Sequence, residues 1–469
     1  MVYLASKPES IILDGPAMTP TQTLAHFVVH HREADLAAAV RREATRSLLN
    51  WVGCAVGGSR HETVERALAA LAPLSGPRDA TVLGRGERLD IMLAALMNGM
   101  TSHTFDFDDT HLRTVIHPSG PVASAMLALA ETRRVTGPEF LHAFVLGVEV
   151  SCRIGNAVYP SHYDVGWHIT GTTGVFGAAA AAGRLLGLDE RQMTWALGIA
   201  ATQASGLREM FGTMCKPFHP GNAARNGLLA ALLARANFTS STQAIEAPRG
   251  FANVLATGRR YGAITEQLGT TWEILENTYK PFACGIVIHP AIDGCVQLRN
   301  EHSLRPDQIA AIDLDVHPLV LELTGKRTPQ AGLEGKFSVY HSAAVAIIDG
   351  AAGESQYSEA RVRDASVIRL RDSVSARVDT GLHEDQARIA IRLHDGRVLE
   401  RFVEHAIGSK ARPMSDAALE AKFRGLADGI LAPAETDRLI DLCWTIAAVA
   451  DVADLAKAAV PAAPELTLS

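Results

Sequence analysis

Residues 387–405, ARIAIRLHDGRVLERFVEH, decide how this chain is built. Ala387, Ile389, Ile391 and Leu393 alternate with Arg388, Ala390 and Arg392, the period of a half-buried strand. Asp395-Gly396 then gives the strongest short hairpin signal, followed by a second alternating run. Upstream, AIDLDVHPLVLEL (311–323) alternates in the same way and is read as a strand.

Outside this region the period changes to three and four. Leu36, Val40, Ala44, Leu48, Trp51 and Ala55 mark one helical stripe, closed by the glycines at 57 and 58. Similar stripes run through 88–100, 122–134, 138–154, 174–186, 190–205 and 223–236. After Pro413 the chain returns to helix, with Ser415 or Asp416 as the cap before AALEAKF. A length of 469 residues allows two domains. The expected fold is mostly α: a large all-helical domain built from both chain ends (1–272 and 409–469), with a smaller α+β lid domain inserted at 273–408. Clefts between such domains commonly hold small molecules.

Composition narrows the function classes. With 44 Lys and Arg against 51 Asp and Glu, the net charge of −7 argues against a nucleic-acid surface and leaves room for local basic pockets. Cys54, Cys152, Cys215, Cys284, Cys295 and Cys443 are scattered without metal or cluster spacing, as expected of reduced thiols in a cytoplasmic protein. The first residues lack the pattern of a secretory signal. The most apolar stretch, 174–186, is short and carries Arg184, so it reads as a buried helix and no membrane span is expected. The Ala/Pro-rich end, 458–469, reads as frayed.

The polar residues are gathered in five places. HTFDFDDTHLRTVIHPSG (103–120) holds His103, Asp106, Asp108, Asp109, His111 and His117. A metal cage, an acid/base site and a solvated loop compete for it. Phe105 and Phe107 alternate with the acids and anchor the segment to a core, against simple solvation. A helical metal phosphohydrolase needs a His-Asp dipeptide, and the chain offers only His394-Asp395, in the hairpin turn. No metal is therefore expected, and a metal-dependent hydrolase using Asp106, Asp108, Asp109 and a histidine is the rival. A buried aspartate beside His117 would fix its tautomer and raise its basicity, as a general acid/base requires.

GWHITGTTGVFG (166–177) sets His168, Thr170, Thr172 and Thr173 at a helix start, which suits a carboxylate; a plain threonine cap is the bland alternative. MCKPFHPGNAARNG (214–227) carries Lys216, His219, Asn222 and Arg225, and YKPFACGIVIHP (279–290) carries Lys280 and His289. Each lysine precedes a proline, where helix is disfavoured and the ammonium lies at a loop edge. One such lysine is usually solvated; two in matching contexts fit a clamp for a substrate with several carboxylates. In GKFSVYHSAAVAIIDG (335–350), Tyr340 and His341 open an apolar helix.

These five motifs, in this order and over nearly the whole chain, resemble the MmgE/PrpD family. That family includes 2-methylcitrate dehydratase, cis-aconitate decarboxylase and iminodisuccinate epimerase. The resemblance implies a helical domain with a smaller lid, a homodimer, and chemistry on di- or tricarboxylates without metal or organic cofactor. It implies catalytic roles for Asp106, His117, His168, Lys216 and Lys280. Thr170, Thr172, His219, Asn222, Arg225, Tyr340 and His341 are added as substrate-binding candidates. The family often has a tyrosine where counting from Phe337-Ser338 here reaches His341, and Tyr340 falls one residue early. That departure favours dehydration of a 2-methylcitrate-like hydroxy acid over decarboxylation or epimerisation. In this scheme Asp106 orients His117, and Lys280 approaches both from across the cleft.

Overall fold

The computed structural model describes residues 18–462. The N-terminal segment read for a signal and most of the Ala/Pro-rich end lie outside the described residues.

The fold is mostly α, and its helices begin where side chains supply the missing partners of free backbone N–H groups. Thr136 and Glu139 form a reciprocal capping pair at the helix Gly137–Val158. Ser415 accepts from the Ala418 N–H and starts Asp416–Ala427, as the sequence suggests. Asp90 accepts from the N–H groups of Met92 and Leu93. The stripe expected from residue 88 therefore begins at Ile91, and Arg88–Leu89 pairs instead with Ala80–Thr81 as a short ribbon.

Two apolar clusters organise the chain. One joins helices Ala38–Gly58, Ile91–Thr104, Ser119–Ala130, Gly137–Val158 and Ile169–Leu186 with Phe423, Leu439 and Ile440 from the two late helices. Ser119–Ala130 is buried on every side, so it is the central rod of this bundle. The other surrounds a four-stranded sheet with Ile312, Leu314, Ile389 and Ile391, covered by helices His289–His302 and Val339–Asp349. Phe107 and Leu426 reach into this second cluster from the helical side.

In that sheet Val374–Val378 lies parallel to Ile309–Val316, which pairs antiparallel with Ala387–Leu393. Val398–Val403 completes the expected hairpin around Gly396 at φ +91°, a conformation suited to glycine. The strand read through 311–323 requires correction: it ends at Val316, and Pro318–Thr324 is helix. Pro318 sits at the first helical position, and His317 accepts from the Leu319 N–H, so a start signal cuts the alternation.

A glycine contact sets the site. A Cβ on Gly221 would stand 2.3 Å from the Leu96 carbonyl oxygen, and one on Gly99 would stand 2.6 Å from the Gly221 Cα. Only because both lack a side chain can helices Ile91–Thr104 and Cys215–Arg235 cross this closely. The crossing brings His103, near the end of one, to Lys216, near the start of the other.

Candidate functional site

The helix crossing and a short ribbon assemble the site. Asp109–His111 pairs antiparallel with Asn277–Tyr279, Asp109 opposite Tyr279. That pairing, between segments some 170 residues apart, delivers Lys280 to the turn holding Asp106. Asp106 has φ +51°, a left-handed conformation uncommon for any residue but glycine. Two ammonium groups pin it there: Lys280 Nζ donates to Asp106 Oδ1 at 2.7 Å and to its carbonyl at 3.0 Å, and Lys216 Nζ lies 3.0 Å from the same Oδ1. Burial alone would raise the Asp106 carboxyl; the charges of Lys216 and Lys280 override it and hold the group well below the usual carboxylate range.

Lys216 is buried although it was expected at a loop edge. Pro217 occupies an early helix position whose N–H has no intrahelical partner, so the proline does not exclude helix. The Lys216 ammonium also donates to His103 Nε2 at 2.8 Å and stands 5.3 Å above the Phe211 ring. Burial first, and then neighbouring Lys280, lowers its pKa against the pull of Asp106.

His103 passes the network on. Its Nδ1 donates to Asp108 Oδ2 at 2.7 Å, which leaves Nε2 to accept from Lys216. Asp108 also lies 3.5 Å from His117 Nδ1 through its other oxygen. Burial raises the Asp108 carboxyl, but His103 and His117 lower it more, and it stays ionised.

The partner expected for His117 is thus corrected: Asp106 is taken by the lysines, and the nearby acid is Asp108. His117 Nδ1 donates to the Asp109 carbonyl at 2.7 Å. A carbonyl only accepts, so Nδ1 carries the proton and Nε2 keeps a free lone pair. Burial pushes His117 down to about 3, with Lys280 and Lys216 adding to it and Asp108 opposing. His168 shares a proton with His219 between their Nδ1 atoms, 2.9 Å apart. Burial, and then Lys216, holds His168 well below its ordinary value. The site therefore pairs neutral imidazoles with two buried cations.

Asp106, His117, His168, Lys216 and Lys280 all wall one cleft, joined by Tyr163, Phe211, Ile286, Val287 and Phe337. Its open volume is only about 40 Å³, little more than a few waters, so a tricarboxylate enters only when these walls part. The other candidates stand behind the walls or elsewhere. The Thr170 hydroxyl accepts from the His117 N–H, and the Thr172 hydroxyl is used by His162 Nε2 and the Ile169 carbonyl. Asn222 donates to Ser205 and accepts from Arg225. His341 donates from Nε2 to the Gln356 carbonyl inside the second core, and the Tyr340 ring lies under Arg327. None of these six lines the cleft, nor does His219; Thr170 and His219 reach it only through their contacts with His117 and His168.

Sequence reasoning missed two further lysines. Lys422 Nζ donates to Asn50 Oδ1 and to the carbonyls of Phe107 (2.5 Å) and Lys280 (2.9 Å). Lys336 Nζ donates to the carbonyls of Phe105 and Ala283 and to Glu354. Both brace the Asp106 turn against the Lys280 segment. Lys422 lies on a helix, where a lysine reads as solvated. Lys336 lies in the turn after Gly332–Gly335, within the 335–350 motif, where the sequence singles out Tyr340 and His341 instead.

His103, Asp106, Asp108 and His117 carry ligand-type atoms within 4.8 Å of one another, which alone would suit a metal ion. The chemistry around them fits poorly. Two ammonium groups already share Asp106 Oδ1, and one of them occupies His103 Nε2. A divalent cation there would face both positive charges at close range.

The MmgE/PrpD N-terminal domain matches residues 22–263, and the MmgE/PrpD C-terminal domain matches residues 282–446. The chain belongs to the MmgE/PrpD family. Among similar MmgE/PrpD relatives, cis-aconitate decarboxylase of Aspergillus terreus is 26% identical over 467 residues, 93% of this chain and 94% of that protein. Cis-aconitate decarboxylase of Homo sapiens is 27% identical over 446 residues, 90% of each chain. No described helix is long and apolar enough to cross a membrane.

The buried imidazoles make a pH prediction. His117 and His289 stand at about 3 and His341 at about 4, each lowered first by burial. Unfolded, each takes up a proton below about 6.5; folded, each resists until its own lower value. Each therefore removes stability as pH falls through this window, at most ~1.4 kcal/mol per pH unit. Asp109, raised to about 7 by burial and then by Asp108, acts oppositely, since its folded-state proton stabilises below that pH. Glu149, likewise raised to about 7 by burial, joins Asp109. His142, lowered to about 3, and His162 and His219, lowered to about 4, join the other side. Six histidines against two acids leave a net loss. Melting temperature should fall steadily from pH 6.5 to 4.5, and a flat profile there would show these imidazoles charged in the folded state.

Proposed function

We propose that this chain is a lyase acting on a di- or tricarboxylic acid without metal or organic cofactor, with decarboxylation of cis-aconitate as the first candidate reaction. The observation carrying the reading is the convergence of Lys216 and Lys280 on Asp106 opposite neutral His117 and His168. Decarboxylation breaks a C–CO2 bond and returns a proton to carbon. Dehydration removes a proton α to a carboxylate and expels hydroxide. Both place negative charge beside a carboxylate, and preorganised cations stabilise such charge by several kcal/mol, on the order of 3. The free Nε2 of His117 is the group for moving the proton. Names of the similar relatives set decarboxylation ahead of the dehydration favoured from sequence.

Dehydration of a 2-methylcitrate-like hydroxy acid remains the second reading, favoured by the departure at His341. In the same proposal, 1–272 with 409–469 form the helical body and 273–408 the lid, as the two apolar clusters support. A small carboxylate as partner and two copies per particle belong to it as well.

Enzyme incubated with cis-aconitate, citrate, 2-methylcitrate and a 2-substituted succinate, and followed by NMR, tests the reading. Loss of CO2 from cis-aconitate is expected. Turnover of 2-methylcitrate alone selects the second reading, and inertness toward all four sinks both. Activity should survive EDTA; stoichiometric zinc, manganese or iron with activity abolished by chelation would instead establish the hydrolase-type metal site.

A further inference from the structure

His26 and His30 stand four residues apart on the helix Pro20–His30, in the run HFVVH, so their rings project from one face. Val28, between them, is buried in the first apolar cluster, while the two histidine side chains are 47% and 54% exposed. Their ring centroids are 4.5 Å apart. Glu190, 49% exposed, meets both rings from the first position of the helix Glu190–Ala201. Its Oε1 accepts from His30 Nε2 at 2.5 Å, and its Oε2 stands 3.3 Å from His26 Nδ1. A reciprocal capping pair, Asp189 with Gln192, fixes the backbone that carries it.

One ligand atom from each of the three lies within 4.8 Å of the others, and among the described residues this is the one such group outside the cleft. Around a tetrahedral zinc ion, bonds of about 2.0–2.2 Å set neighbouring ligand atoms about 3.3–3.5 Å apart. The contact between His26 and Glu190 already has that length, and His30 has only to give up the proton it directs at Glu190. The electrostatics are the reverse of those at Asp106. Among the described residues no lysine or arginine pairs with Glu190, and neighbouring Arg191 lies over the Trp195 ring instead. No ammonium therefore opposes an incoming cation, and the half-exposed rings leave room for its waters.

We propose that His26, His30 and Glu190 bind a divalent transition-metal ion, zinc, nickel or copper, that ties the helix Pro20–His30 to the helix Glu190–Ala201. Imidazole with a carboxylate suits these ions, whereas magnesium and calcium take oxygen ligands. Water completes the coordination. None of the three residues lines the cleft, so the site stands apart from the reaction and is independent of the lyase reading.

The untagged full chain, stripped with EDTA and dialysed, is titrated with zinc chloride by calorimetry near neutral pH. One zinc per chain should bind with micromolar affinity. His26→Ala and His30→Ala should each weaken it at least about tenfold, since loss of even an outer-shell partner costs that much. Copper(II) electron paramagnetic resonance should show two coordinated imidazole nitrogens in the unaltered protein and one in His26→Ala. Zinc at about a hundredfold excess over Kd should raise melting temperature by about 2–4 °C and leave the variants near their zinc-free values. Glu190→Gln, which keeps the side-chain size, gives the same comparison should an alanine variant fail to fold. No zinc bound at millimolar concentration overturns the inference. Binding and a melting shift that survive all three substitutions also overturn it, by placing the ion elsewhere.

Discussion

His117→Ala lowers kcat by a factor on the order of 10²–10⁴ and leaves substrate affinity nearly intact. The hydrogen bond from Nδ1 to the Asp109 carbonyl fixes the tautomer, so Nε2 is free to take or return a proton. Burial and the two lysines keep the ring neutral when the cleft is empty. An anionic substrate offsets those lysines, so the imidazole becomes more basic once substrate binds. Asp108→Asn should act as a milder form of the same change, since Asp108 is the carboxylate near His117 and holds His103 in register. Measuring kcat, KM and melting temperature on the same preparations separates chemistry from folding. A His117→Ala protein of near-normal kcat removes this histidine from the mechanism; a drop confined to melting temperature makes residues 103–120 a structural loop.

Asp106→Asn produces a different defect, in stability as much as in turnover. The carboxylate is the shared counter-charge of two buried ammonium groups. Removing one partner of such a pair leaves charge buried without compensation, typically a loss of about 3–5 kcal/mol. Asparagine keeps the shape, so packing stays and the charge alone is tested. A polycarboxylate should rescue melting temperature more in this variant than in the unaltered protein, because its carboxylates replace the missing charge. Adding Lys216→Met should recover part of the lost stability, giving the non-additivity expected of contacting charges. If Asp106→Asn melts and turns over as the parent does, the clamp is not built around this carboxylate.

The sequence was most legible where period and punctuation are local. Leu48 and Trp51 lie on one helical stripe, and both are fully buried. The Asp395-Gly396 turn needed nothing beyond its neighbours. Pro318 shows the limit, because alternation continues past it while the backbone turns helical. At the site, the motifs named Asp106, His117, His168, Lys216 and Lys280, and all five face one cleft. They did not distribute partners correctly: Asp106 was set beside His117, and Thr172 and His341 were counted as ligands although neither faces the cleft.

What the sequence determined by itself was the mostly helical body, the hairpin and the identity of the polar residues. These depend on periods of two and 3.6 residues and on motif order, both written along the chain. Tertiary structure decided which acid each cation meets. Lys280 reaches Asp106 through a ribbon pairing residue 109 with 279, and Lys216 reaches His103 through the Gly99–Gly221 crossing. Lys422 joins because its helix packs at that seam, and Lys336 because the turn after Gly332–Gly335 folds against residues 105 and 283. Partner choice depends on where a side chain's own helix or turn is rotated against a distant one, and local spacing carries no record of that rotation.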